Sequence, residues 1–567
     1  MQTKIPVGSD DFKAVREEYY FVDKSGFISE FFHQHASVTL LTRPRRFGKS
    51  LLMSMMSYFL KMEHADENRK LFEGLEVAED PQAMAEQGKR PVVFLTFKDW
   101  MGLTWASMQE TISWRLANLF GKFLFVRDDI TTQDEKREFD QIYNGKADAE
   151  TMADALSFLL HLLERHTGIK PVLLIDEYDA PIQEAWSQGY YKEAIAFFRR
   201  FYTLAFKSNP SLGFAILTGV LRVAKESIFS GLNNLVVSSV LSGPYADACG
   251  YTRAEIEKMV RDLGKEDQLE TIQSWYDGYD FQGLEIYNPW SVNNFFFNKC
   301  EARAYWVNTS SNSILQTMLE RLTSKRERDL ERLVAGGSIV MHPNEAFIYD
   351  DIEQHRDDIY TLLLFTGYLK CIGIESIEDE DTEESLYELS IPNREIRSVF
   401  RTEILRRMSG FTGVSMLYTM MQAMMAGDAM EFNSSLREVL RGMVSVHDTA
   451  HAESFYHGLM LGLTVWLSKK FRIESNQESG YGRFDLALFP KREELPGILM
   501  EFKSVKDDDD LEKAVEVAKA QMKEKDYRAR FDVLGVEKLW SYAIAFCGKD
   551  VRVDMVDGWE NRTIVRG

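Results

Sequence analysis

The chain has 567 residues, 45% of them hydrophobic and 12% aromatic, which excludes a disordered chain and exceeds what one hydrophobic core organises. A formal net charge of −21 excludes a generally sticky nucleic-acid binder, because phosphate contacts need clustered Lys and Arg. The acid is uneven, however: from Ser445 onward 19 Lys+Arg stand against 22 Asp+Glu, so nearly all of the excess lies earlier.

Residues 1 to 36 carry an aromatic stretch in which Phe12 or Tyr20 suits stacking on a base, core packing being the plainer reading. In Ser37 to Phe59 an apolar run of strand character (Val38, Leu40, Leu41) enters a short loop, and a helical pattern (Leu51, Leu52, Met55, Met56, Phe59) leaves it. The loop ends Gly48-Lys49-Ser50. Strand, loop and helix N-terminus together make a phosphate cradle, since the first helical N–H groups are unpaired and the dipole favours an anion. Lys49 would reach the β- and γ-phosphates of ATP, and Ser50 would ligand Mg²⁺. The pattern wants an earlier glycine where this chain has Arg43. The run Arg43-Pro44-Arg45-Arg46-Phe47 is therefore expected to cradle phosphate partly by guanidinium charge, with Arg46 and Gly48 among the nucleotide-binding candidates.

Further strands are expected at 90–97, 171–175, 212–217 and 235–240, with helical patterns between most of them, including one from Met152. Alternating strands and helices predict a parallel sheet covered on both faces, with ligands beyond the carboxyl ends of its strands. The run PVLLIDEYD from Pro171 delivers two carboxylates to that edge. Asp176 would hold Mg²⁺ through water, and Glu177 would orient or deprotonate the attacking water. Thr218 ends a neighbouring strand, as a γ-phosphate sensor or a plain strand cap, and Arg222 follows as a further phosphate contact.

From about 246 the pattern becomes amphipathic helices, read as a lid or linker to 340, and the aromatic run Trp275 to Phe281 reads as part of a helical lid or an interdomain contact rather than base stacking. Residues 341–444 read as helical with a winged-helix-like order of helix, strand, turn and strand, and the acidic run Glu375 to Glu384 as a solvated loop. These two stretches separate a 1–245 ATPase-type domain from a 445–567 C-terminal domain.

In that last domain a helix near Tyr456 precedes two strands, one carrying Glu478 and Asp485, the other running Gly497 to Lys503. Period-two alternation sends Glu501 and Lys503 to one face and Phe502 to the other. A turn centred near Glu493 sets Asp485 opposite Glu501, with Cβ atoms about 4.5 to 5.5 Å apart. Two carboxylates that close repel unless a cation lies between them, and few carboxylates plus water suit Mg²⁺. Lys503 would orient the attacking water or stabilise charge on the phosphate. The plainer reading is a surface ion pair worth less than about 1 kcal/mol. Asp507 to Asp510 are expected to cap the helix beginning near Leu511.

RPRRFGKS, LLIDEYDAPI and the paired carboxylates resemble the AAA-ATPase-like family of prokaryotic proteins that carry a C-terminal nuclease domain of the PD-(D/E)XK superfamily. The resemblance spans nearly the whole chain and implies an α/β fold: an N-terminal P-loop NTPase sheet, a central mostly helical region, and a C-terminal restriction-endonuclease-like domain. It implies Asp485 as the first acid, Glu501-x-Lys503 as the paired motif, Gln521 and Tyr527 on the following helix, and Glu478 as a further carboxylate, with Glu453 and His457 beside it. ATP, Mg²⁺ and a nucleic-acid substrate are the implied ligands. The leading expectation is an ATP-hydrolysing protein coupled to a Mg-dependent nuclease; the alternative is an ATP-switched binding or signalling module that recognises a partner without cutting. Cys249, Cys300, Cys371 and Cys547 lie far apart without C-x-x-C spacing, and no apolar run approaches the roughly 18 to 20 residues that span a bilayer. A cytoplasmic protein without membrane contact is therefore expected, with self-association left open.

Overall fold

The computed structural model describes residues 4–306 and 329–556, apart from 35, 208, 223–234, 331, 335, 345–355, 380–381, 401–413, 444–455, 458, 461–462, 465–466, 468–469, 476–477 and 480–481. The chain divides into two compact units: residues 1–309 with 340–396, and residues 310–339 with 397–567.

The first unit is built on a five-stranded parallel sheet of β1 (Val38–Thr42), β2 (Val92–Thr96), β3 (Val172–Asp176), β4 (Phe214–Gly219) and β5 (Leu235–Ser238), in the order β2-β3-β4-β1-β5. Every residue of β1, β3 and β4 is buried. That is why these strands read as continuous apolar runs rather than alternating ones. Because β4 lies between β3 and β1, the ends of all three strands converge. The helix Lys49–Leu60 buries Leu52, Met53, Met55, Met56, Phe59 and Leu60. The helix Ala149–Thr167 starts on the Asp148 side chain, which accepts Thr151 N–H, and stops at left-handed Gly168.

Beyond β5 the unit carries helices at Arg253–Leu263, Leu269–Tyr276 and Pro289–Phe297, and a small sheet of β6 (Tyr251–Thr252), β7 (Tyr279–Phe281) and β8 (Leu284–Tyr287), ordered β6-β8-β7. The end of the aromatic run, expected in a helical lid or interdomain contact, is instead strand β7, where Tyr279 meets Phe47 edge-on at 4.9 Å and Phe281 lies 5.3 Å from the same ring. The helix Arg356–Thr366 leads to a three-stranded sheet of β9 (Ser338–Met341), β10 (Lys370–Asp379) and β11 (Thr382–Ser390), ordered β10-β11-β9. The acidic run Glu375–Glu384 is mostly not a loop. Glu375 pairs with Leu386 and Asp379 with Thr382, so most of the run extends two paired strands. Backbone pairing outweighs the low strand propensity of acidic residues, which is weak and context-dependent.

The second unit centres on a mixed sheet of β12 (Phe471–Ser475), β15 (Leu486–Pro490), β16 (Gly497–Ser504), β17 (Leu539–Cys547) and β18 (Asp550–Met555), in that order; β13 (Glu478–Ser479) and β14 (Gly482–Arg483) form a separate hairpin. β15 and β16 are antiparallel, with Leu486 opposite Met500 and Leu488 opposite Ile498. β16 and β17 are parallel, joined through the helix Leu511–Glu524. On one sheet face Leu486, Ile498, Met500 and Phe502 pack with Leu417, Met420 and Leu436 from two helices. On the other, Ala487, Phe489 and Leu499 pack with Met522, Tyr527 and Phe531. Asp507 accepts Asp509 N–H and caps the 3₁₀ turn Asp508–Asp510, whereas Asp510, at the N-cap of the helix that begins at Leu511, makes no side-chain cap bond, so the expected capping falls one turn early.

Candidate functional site

At the head of the first sheet the loop between β1 and its helix has two left-handed residues, Arg46 at φ +69° and Gly48 at φ +91°. Gly48 suits glycine for conformational reasons alone, since a Cβ there would meet nothing within 4 Å. Lys49 is buried, and its ammonium donates to the carbonyls of Arg43 at 3.0 Å and Pro44 at 2.9 Å. Burial lowers the pKa of its ammonium below the ordinary lysine value, with Glu177 and Asp176 acting against that. The Ser50 hydroxyl donates to Asp176 Oδ2 at 2.6 Å, and the Thr218 hydroxyl donates to Asp176 Oδ1 at 2.5 Å. One carboxylate thus links the ends of β3 and β4 to the first turn of the loop helix.

Glu177 follows at φ +55°, a strained conformation for a residue with a Cβ and of the kind that clusters at functional sites. Burial raises its carboxyl above the usual range, with Lys49 opposing. Asp179, fully buried, accepts the N–H groups of Val220 and Leu221, both at 2.9 Å, which fixes the bend after β4. Arg222, half-buried just beyond that bend, bonds to none of Lys49, Ser50 or Asp176 among the described contacts.

The arginines at the head of the loop divide differently from the expectation of a charged cradle. Arg43 is fully buried; its guanidinium donates to Thr42 O, Ser238 O, Ser238 Oγ and Tyr245 O at 2.7–3.0 Å. It ties β1 to β5 and the segment after it, so its charge does not face a phosphate. Arg45 donates to Gln183 Oε1 at 2.8 Å. Arg46 lies over the ring of Trp290, 3.9 Å from its centroid. Phe12, a candidate for stacking on a base, is buried against Phe21, Tyr58 and Phe72, whereas Tyr20 donates to Asp262.

In the second unit the strand register continues from Leu486 opposite Met500, which brings Asp485 and Glu501 to adjoining positions at the same end of β15 and β16. Phe502 N–H donates to Asp485 Oδ2 at 2.7 Å. His457 Nε2–H reaches the Asp485 carbonyl at 2.9 Å and Ser475 Oγ at 3.0 Å; the carbonyl can only accept, so the ring is protonated at Nε2. Lys503 donates to Glu501 Oε1 at 3.1 Å, and Gln521 Nε2 donates to the same oxygen and to the Tyr527 hydroxyl at 3.1 Å. Ala543 and Ala545 stand beside Glu501 and Lys503 on the neighbouring strand, and their small side chains let the Leu511–Glu524 helix approach. Glu478 has a place in β13, but its side chain lies outside the described residues, as does Glu453. Ser475 and the Phe502 N–H escape sequence reading, because a serine in a strand and a backbone donor carry no motif.

The electrostatics suit a cation. Burial, then the neighbouring Asp485, push the Glu501 carboxyl up to about 8, and burial raises Asp485 as well. Glu501 Oε2 is buried and makes no hydrogen bond of good geometry, the backbone N–H of Asp485 acting on the carboxylate from nearby. A carboxylate oxygen of this kind beside a second carboxylate fits a hard divalent ion. Among the described residues no cluster of three or more His, Cys, Asp and Glu side chains forms a closed cage, so two carboxylates would leave positions for water and substrate. Among the described residues, too, no helix is long and apolar enough to cross a membrane.

Residues 6–229 match the AAA-ATPase-like family, described as predicted AAA-ATPase, and residues 451–555 match a family of the PD-(D/E)XK nuclease superfamily. A protein of Azotobacter chroococcum mcd 1, described as an uncharacterized protein in the vnfD 5′ region, is 28% identical over 409 residues, covering 71% of this chain and 70% of its own length. No solved structure matches the chain. The convergence of Lys49, Ser50, Asp176 and Thr218 in one matched region, and of Asp485, Glu501 and Lys503 in the other, agrees with both matches: the chain joins a predicted AAA-ATPase domain to a PD-(D/E)XK nuclease superfamily domain.

Proposed function

We propose that this protein binds and hydrolyses ATP in its first unit and cleaves phosphodiester bonds in nucleic acid with its second, the nucleotide state controlling the cut. The observation that carries the reading is the buried Glu501 Oε2, which makes no hydrogen bond of good geometry, beside the second carboxylate of Asp485. A divalent cation such as Mg²⁺, held by Asp485 and Glu501, would supply Lewis-acid polarisation of a phosphoryl oxygen and activation of a water. Phe502 N–H fixes the orientation of Asp485, and Gln521 fixes that of Glu501. Lys503 offers its ammonium to negative charge on the phosphate. In the first unit Lys49 exchanges its two loop carbonyls for phosphate oxygens, which are stronger acceptors because they are charged. Ser50 and Asp176 would hold Mg²⁺, Glu177 orients the attacking water, and Thr218 keeps Asp176 in place.

The test incubates wild type, Lys49→Ala and Asp485→Ala with labelled single- and double-stranded DNA and RNA, with Mg²⁺ or Mn²⁺, and with or without ATP. Wild type is expected to give products that vanish in Asp485→Ala, and whose ATP dependence vanishes in Lys49→Ala. If no condition yields products that depend on Asp485, the ATP-switched binding module replaces the nuclease.

A further inference from the structure

The left-handed conformation of Arg46, at φ +69°, is strained for a residue with a Cβ, and such strain persists only where the surroundings over-determine it. Two residues distant in sequence act on Arg46. Trp290 presents its ring face to the guanidinium at 3.9 Å. Glu395, fully buried, is the main charge favouring the ionised form of Arg46. The Glu395 carboxylate is held rigidly, its Oε1 accepting the backbone N–H groups of Tyr305 at 2.7 Å and Trp306 at 2.9 Å. Its Oε2, near the Ser291 hydroxyl, makes no hydrogen bond of good geometry.

The segment that carries Glu395 is pinned as well. Asn393 Nδ2 donates to Asp277 O at 2.8 Å, and its Oδ1 accepts Ile396 N–H at 2.9 Å. The Pro392 carbonyl sits 2.1 Å from where a Cβ on Gly278 would lie, so this close approach requires glycine. On the loop itself, Gly250 N–H donates to Phe47 O at 2.8 Å. Left-handed residues at 46 and 48 flank Phe47, and backbone of that kind forms a concave nest of N–H groups for an anion.

We infer that Glu395 and Trp290 are positioning residues for the phosphate loop, holding Arg46 in the left-handed turn that shapes the nest, an inference that rests on reading this loop as the nucleotide site. Neither residue touches the phosphate. Their effect passes through the conformation of Arg46, so a residue that adopts that conformation freely makes them dispensable.

Titration of the full-length protein at pH 8, where Glu395 is ionised, with a fluorescent ATP analogue and Mg²⁺ tests this in wild type, Glu395→Gln, Trp290→Leu, Arg46→Gly and the doubles Arg46→Gly/Glu395→Gln and Arg46→Gly/Trp290→Leu. Glu395→Gln keeps shape and removes charge; it is expected to weaken binding about tenfold without lowering the nucleotide-free melting temperature, and Trp290→Leu is expected to weaken binding similarly. Each double is expected to bind as Arg46→Gly alone, because glycine needs no holding. The inference is overturned if both single variants bind like wild type, or if the doubles lose a further tenfold relative to Arg46→Gly. Should wild type itself bind no nucleotide, the reading of the loop falls first and this inference with it, an outcome distinct from the other two.

Discussion

Ser50 and Thr218 donate to the two oxygens of a single carboxylate, Asp176, at 2.6 Å and 2.5 Å. Both acceptor oxygens are therefore committed to hydroxyls that a metal-bound water can replace, and the three side chains are aligned by the adjacency of β3, β4 and β1. A site ordered by the sheet in this way needs little rearrangement on binding.

Loss of Lys49 is expected to abolish nucleotide stabilisation. With Mg-ATP at about 100 times the dissociation constant, wild type should gain about 2.7 kcal/mol and Lys49→Ala none. Melting temperature with and without Mg-ATP measures the difference, and an equal rise in both proteins would remove Lys49 from the site.

Gly48→Ala places a Cβ in open space at φ +91°. The expected cost is conformational only, about 1–2 kcal/mol in urea unfolding. A variant as stable as wild type would contradict the left-handed turn.

Asp485→Ala removes the acceptor of Phe502 N–H and is expected to cost about 1–3 kcal/mol besides abolishing cleavage. Glu501→Gln keeps the shape of the buried side chain and is expected to lose no stability in chelator, while losing the rise in melting temperature that Mg²⁺ gives wild type. A Mg²⁺-induced rise that survives in Glu501→Gln would place the ion elsewhere.

Glu395 predicts a pH effect on folding. Burial raises its carboxyl from the ordinary 4.5 to about 7, with the Arg46 charge opposing, and the Glu395 charge in turn raises Tyr276, Tyr279 and Tyr305. Between those values the unfolded chain is ionised and the folded chain holds the proton. The contribution to stability is therefore fully present below pH 4.5 and is lost as pH rises through about 7. Unfolding free energies measured from pH 4.5 to pH 8 should fall less steeply in Glu395→Gln than in wild type, and parallel curves would refute the shift.

Much of both sites was legible because it is local. The run from Val172 into Asp176 and Glu177 reads as a buried strand ending at a site since apolar residues without alternation can only be covered on both faces. Asp485 could be set against Glu501 because the turn between their strands is short, and a short turn dictates register. The same local reading failed at Glu375–Glu384, where cross-strand pairing overrode composition, and at Arg43, whose charge read as a phosphate contact but is spent on carbonyls of Ser238 and Tyr245.

By itself, then, the chain's order of residues determined the strand, loop and helix around Lys49, the two acids ending β3, and the alternation that puts Glu501 and Lys503 on one face, since each follows from backbone periodicity over a few residues. Only tertiary structure decided that Thr218 shares Asp176 with Ser50, that Arg43 is a buried tie, and that the ring of Trp290 lies over Arg46. Those partners are brought together by chain crossings and burial, and a pairing between residues hundreds of positions apart leaves no periodic trace in either neighbourhood.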